Sequence, residues 1–212
     1  MTEVWAQSLR GRAIDLVHPK VEQVDFREIA DTLAGINRYA GCSPRPVNVA
    51  HHSLIALHVA KKRQASPLLQ AMVVLHDAHE GVGIGDLTTP AAQAMAAIAD
   101  EVYGAPHRDS LLGSIHELKH RHDIVIHEAA GLPMPTAEQS AFIKECDVCA
   151  LNTERRDFLN PTQRAWAAAI NAVPPLPRVE KWMSPGDAAA ELYRAFRMLL
   201  PALRDGRARG AA

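Results

Sequence analysis

SPLLQAMVVLHDAHE, residues 66–80, decides the fold class. Leu69, Met72, Val73 and His76 recur at helical spacing, so an apolar stripe ends on a histidine. Ser66 is a natural N-cap and Pro67 suits a first helical turn. Gly81, Gly83 and Gly85 end the segment. Asp77 is adjacent to His76, and Glu80 follows one turn later on the same side. An imidazole and two carboxylates are therefore expected at the C-terminal end of a buried helix. Unpartnered polar groups are costly there, and a cation resolves the cost.

Working outward, the same spacing recurs. Upstream, VNVAHHSLIALHVAKKR (47–63) reads as a helix capped by Asn48, with Ile55, Ala56 and Val59 sharing the face of His52. VDFREIADTLAGI (24–36) sets Phe26, Ile29, Ala30 and Leu33 on one face of a helix beginning near Asp25. Downstream, helices are expected over 91–103, about 108–130, 136–159, about 162–172 and 186–203, with the proline-rich VPPLPR (173–178) between the last two. In the 136–159 helix, Asp147 shares its face with Ile143, Ala150 and Leu151. Residues 1–24 read as irregular, and strand-like alternation is absent. The expectation is an all-α chain of roughly seven helices. It forms one domain over 1–212, with a core at about 25–160 and a proline-rich loop and closing helix at about 173–203.

Bulk composition narrows the function. A chain of 212 residues, 48% hydrophobic and 22% charged, can bury a sizeable core. Aromatics at 5% favour helix over sheet. Lys+Arg 23 against Asp+Glu 24 leaves −1, which calls for neither nucleic acid nor a membrane surface. The basic end RDGRARGAA (204–212) reads as a solvated tail. No apolar run has the length of a membrane span, and MTEVWAQSLRGRA lacks a signal peptide's apolar core, so a cytoplasmic location is expected. Of the three cysteines, Cys146 and Cys149 form a CxxC inside a helix with no second pair to complete a zinc site. They read, with Cys42, as free thiols, and the CxxC pair as core.

His52, His76 with Asp77, and Asp147 thus come from three segments, each on an apolar side. Two imidazoles and two carboxylates suit one Mn, Fe, Co, Ni or Zn ion, with positions left for water and substrate. The competing reading is that inward histidines are hydrogen-bonded core residues. A second His-Asp pair, His122-Asp123, lies in the charged run HELKHRHD (116–123), which reads as a solvated helix face. Ser53 sits inside a helix without a nucleophile elbow, and no P-loop motif is present.

The ordered pattern H…HD…D resembles that of HD-domain phosphohydrolases, and in particular their 5′-deoxynucleotidase-like branch. Three blocks carry the likeness: VAHHSLIALHVA (49–60), LHDAHEGVGIGDLTTP (75–90) and FIKECDVCALNTERRDFL (142–159). The resemblance implies an HD-type helical bundle and metal ligation by His52, His76, Asp77 and Asp147. His51 stands where the family usually has an acid and is expected to be a neighbour rather than a ligand. Glu80 aligns with the acid that handles the attacking water, and Asp86 with a second acid near the substrate. One extra residue separates those two here. Arg38, in INRYAG (36–41), resembles a phosphate-contacting arginine beside an aromatic, the competing reading being a helix-end surface residue. Lys144 is a further candidate for phosphate charge. The implied activity is hydrolysis of the 5′-phosphate of (deoxy)nucleoside monophosphates with one divalent ion. The alternatives are a deoxynucleoside triphosphate triphosphohydrolase on the same site and a non-catalytic, metal-stabilised binding module. The expected partner is a small nucleotide, with no nucleic acid and no membrane, and a homodimer is left open.

Overall fold

Asp25 starts the helical body. Its carboxylate accepts from the Arg27 and Glu28 amides, capping α1, Phe26–Gly35. Caps of the same kind open the next helices. The Asn48 side chain accepts from His51 N to begin α2, Val49–Lys62, and Ser66 caps α3, Pro67–Val74. Then come α4, Thr89–Tyr103, α5, His107–Ala130, and α6, Ala137–Phe158. Two short helices and one long one complete the set: α7, Ala168–Asn171, α8, Pro185–Leu199, and α9, Pro201–Arg204. The computed structural model describes residues 4–207. Among them the architecture is all-α, with α1–α6 and α8 as the long helices. Most of the basic tail, from residue 208 on, lies outside the described residues.

The core joins the two ends of the chain. Phe26 and Leu33 of α1 are fully buried with Leu192 and Phe196 of α8, and the Phe26 and Phe196 rings meet edge to face at 5.9 Å. Helix α8 is therefore part of the core. Truncating either phenylalanine to alanine should cost about 3–5 kcal/mol. A second cluster packs Ile55, Ala56 and Val59 of α2 against Val73 of α3, Cys146, Cys149 and Ala150 of α6, and Leu176 of the proline-rich loop. This cluster draws together the three segments that carry His52, His76 and Asp147. Burial raises the Cys146 thiol to about 11, as befits a packed rather than reactive cysteine.

Four expectations need correction. Residues 1–24 are not irregular throughout: β1, Trp5–Gln7, pairs antiparallel with β2, Ala13–Asp15, Ala6 opposite Ile14. Strands of three residues are too short for alternation to show in the sequence. The helix expected over 66–80 stops at Val74. His76 takes the Val73 carbonyl with both its amide (3.3 Å) and its Nδ1 (2.9 Å), closing the turn early. A 3-10 turn, Ala78–Val82, follows. At Gly81 a Cβ would press on the Ile29 and Leu33 side chains at 3.1 Å, and Gly83 has φ 95° with Ala6 close by. The closing helix breaks at Leu200, whose extended backbone (ψ 119°) obeys the demand of the following Pro201. The helix expected at about 162–172 shrinks to Ala168–Asn171. No helix among the described residues is long and apolar enough to cross a membrane.

Candidate metal centre

His52 lies in the first turn of α2 and is fully buried. Its Nδ1 is 3.0 Å from Glu154 Oε1, two turns beyond Asp147 on α6. Burial alone would raise the Glu154 carboxyl, but the Arg38 and His52 charges outweigh it and bring it down to about 2. An ionised carboxylate only accepts, so His52 Nδ1 carries the proton. His76 Nδ1 faces the Val73 carbonyl, which also only accepts. Both imidazoles therefore turn a lone pair on Nε2 inward when neutral. The two Nε2 atoms are 3.3 Å apart.

Two carboxylates complete the convergence. Asp77 Oδ2 lies 3.1 Å from His76 Nε2 and 3.7 Å from His52 Nε2. Asp147 Oδ1 lies 3.1 Å from His52 Nε2 and 3.9 Å from His76 Nε2. Ligand bonds of about 2.0–2.2 Å place neighbouring donors roughly 3.0–3.6 Å apart around one ion, close to this spacing. Two opposed lone pairs beside two anionic oxygens are stable only with positive charge between them. Burial would lower His76, yet Asp77 beside it pushes it up to about 9, while the Asp77 and Asp147 carboxyls are held below the usual range by the two histidines. Protons fill the role in the bare protein, and the donor set fits a borderline divalent ion.

The surroundings are as polar as the cluster. Arg38 is not a surface residue. It is nearly buried, donates from Nε to Glu154 Oε2 (3.1 Å) and approaches Asp77 Oδ2 at 3.7 Å. Tyr39 donates its hydroxyl to the same Glu154 oxygen at 2.5 Å. Tyr39 and Ala40 both adopt left-handed backbone, φ 59° and 51°, which non-glycine residues rarely accept. The Glu154 bond holds that strained turn in place. Lys144 is exposed and pairs with Asp147 Oδ2 at 2.7 Å, so it stands at the rim. His51 points elsewhere, its ring against Phe158 at 5.5 Å. Ser53 Oγ donates to the Val49 carbonyl, as a helix-interior serine does.

Glu80 is buried in the 3-10 turn. Burial first, then the Asp77 and Asp86 charges, raises its carboxyl to about 9. Between Glu80 and Asp86 the chain turns, and the Gly85 amide donates to the Glu80 carbonyl at 3.0 Å. Asp86 stays close enough to act on Glu80, and burial raises its own carboxyl.

Several participants escaped the sequence reading. Glu154 had a signal, seven residues after Asp147 on the same helical face. Tyr39 had only its place beside Arg38. HELKHRHD is not a uniformly solvated face: Lys119 Nζ lies 3.9 Å from Glu80 Oε1, and Asp123 Oδ1 lies 2.9 Å from His79 Nδ1. His122 is buried with Nε2 on the Leu16 carbonyl at 3.1 Å. A charged run on a half-buried helix gives no warning of such partners.

No protein-family model matches the chain. It is similar to an uncharacterized protein of Rhodobacter capsulatus, 32% identical over 101 residues. That alignment covers 45% of this chain and 50% of the relative, so the chain spans about half the length of the curated protein it matches.

Proposed function

We propose that this chain is an HD-type, metal-dependent phosphohydrolase that removes the 5′-phosphate of (deoxy)nucleoside monophosphates. The observation that carries the reading is the inward-facing Nε2 pair of His52 and His76 with Asp77 and Asp147 beside it. These four residues would hold one Mn, Fe, Co, Ni or Zn ion, whose chemistry at this place is Lewis acidity towards a phosphate oxygen and a water. With the proton that burial holds on it displaced by the positive charge of a bound ion, Glu80 removes a proton from the attacking water as its oxygen bonds to phosphorus. The P–O5′ bond breaks, and a proton returns to the leaving nucleoside oxygen. Arg38, held by Glu154 with a guanidinium nitrogen towards Asp77, offsets phosphate charge. Asp86 keeps Glu80 basic, and Lys144 guards the rim.

Charge favours a monophosphate. Arg38, Lys119 and Lys144 border the cluster, and the first two already face Glu154 and Glu80. Arg45, Lys61 and Lys62 are exposed. A triphosphate needs more free cations than that. The test is product analysis after chelation and reloading with each metal, using dAMP and dATP at equal concentration. Orthophosphate from dAMP, dependent on metal, is expected. Inorganic triphosphate from dATP with dAMP untouched would overturn the monophosphate assignment. A metal-loaded protein that hydrolyses nothing across a nucleotide panel would instead mark a binding module.

A further inference from the structure

The 3-10 turn after Asp77 carries polar groups that the four-ligand centre leaves over. His79 is buried, and its Nδ1 faces Asp123 Oδ1 of α5 at 2.9 Å. That pairing puts the ring proton on Nδ1 and leaves the lone pair on Nε2. Nε2 is buried and has no hydrogen-bond partner. Glu80 repeats the pattern. Its Oε1 lies 3.9 Å from Lys119 Nζ, while Oε2 is buried without a partner. A ring nitrogen of His79 and carboxylate oxygens of Asp77 and Glu80 lie within 4.8 Å of one another. Buried acceptors without donors are rare in folded proteins, and a cation satisfies several at once.

We propose that Asp77, His79 and Glu80 form a second divalent-cation site beside the first, with Asp77 shared between the two ions. The proposal rests on the four-ligand reading only through that shared carboxylate. One imidazole and two carboxylates suit the same borderline metals as the first site, Mn, Fe, Co or Zn. Asp123 is the outer partner that fixes the orientation of His79, as carboxylates do for metal-bound histidines. One imidazole and two carboxylates give one donor fewer than the four-ligand centre. Lys119 also competes for Glu80. Both features make this the weaker site, filled after the first. Glu80 serves the water when the first site alone is filled and the second ion when both are.

The experiment uses the full chain, stripped with chelator and equilibrated with excess Mn²⁺. Ions are counted by elemental analysis and their separation is read by electron paramagnetic resonance. The wild type should hold about two ions per chain with a spin-coupled spectrum, since carboxylate-bridged ions lie about 3.5–4 Å apart. His79→Asn should drop to about one ion with an uncoupled spectrum. Asp123→Asn, at a partly exposed position, guards against a folding failure in the first variant; it should weaken the second ion alone by roughly 10–100-fold. A wild type saturating at one ion overturns the second site and leaves the first standing. An uncoupled second ion, or either variant keeping the coupled pair at wild-type affinity, also overturns it. A wild type that binds none removes both sites.

Discussion

His76-Asp77 and His122-Asp123 are the same dipeptide in two settings. In the first, His76 Nε2 meets Asp77 Oδ2 at 3.1 Å and both lie against His52 Nε2. In the second, the two side chains part. His122 reaches back to the Leu16 carbonyl and so anchors the end of the β1–β2 hairpin, while Asp123 holds His79. One histidine is pushed up to about 9 by its carboxylate neighbour after burial has lowered it. The other is lowered, chiefly by burial, because its one close partner is a neutral carbonyl. The dipeptide supplies the donors, and the chain brought against it decides whether they converge.

The largest effect expected from breaking this contrast is at the first pair. Asp77→Ala should abolish binding of the tight ion and with it phosphate release, while Asp123→Ala keeps that ion. Metal analysis of the two purified variants is the check, and full occupancy of the tight site in Asp77→Ala would end the assignment. Next comes Glu80. Glu80→Gln preserves shape but cannot take a proton, so turnover should fall by roughly 10²–10⁴-fold with the tight ion retained. Steady-state rates on dAMP measure it, and a near-normal rate would remove Glu80 from the chemistry.

A smaller loss is expected behind the metal. Glu154→Gln weakens the acceptor that orients His52, so tight-site metal affinity should drop by about 10–100-fold. Competition with a chelator of known strength reads that drop, and an unchanged affinity would show that Glu154 only packs.

The smallest effects lie in the pH dependence of stability of chelator-treated protein. His76, raised from 6.5 to about 9, contributes stability that is full below pH 6.5 and lost as pH rises through about 9. His122, lowered from 6.5, contributes stability present above pH 6.5 and lost as pH falls through its folded value. His76→Gln should therefore flatten the alkaline decline, and His122→Gln the acid one. Urea midpoints across pH measure both, and the same side flattening in both variants would erase the distinction between the pairs.

Much of the body was legible in the sequence because its signals are local. Asn48, Ser66, Thr136 and Ser184 cap the helices that follow them with their own side chains. The apolar stripes of α1, α2 and α6 are periodic over several turns. The inward faces of His52 and Asp147 followed from those stripes. The early stop of α3 did not, because it depends on the His76 side chain returning to Val73. Nor did the hairpin, whose Ile14 is buried only against neighbours from other segments.

By itself, then, the sequence determined an all-α chain with two histidines and two aspartates on apolar sides of three segments, since helix period and capping are written in neighbouring residues. Only the tertiary structure decided that both Nε2 lone pairs face each other. The acceptors that set them are Glu154, 102 residues from His52, and the Val73 carbonyl, which His76 meets only because α3 ends there. Burial of Arg38 was likewise a tertiary decision, since its carboxylate partner lies 116 residues away. Electrostatic fit between groups so far apart in sequence exists only after the helices have packed, and no local pattern encodes it.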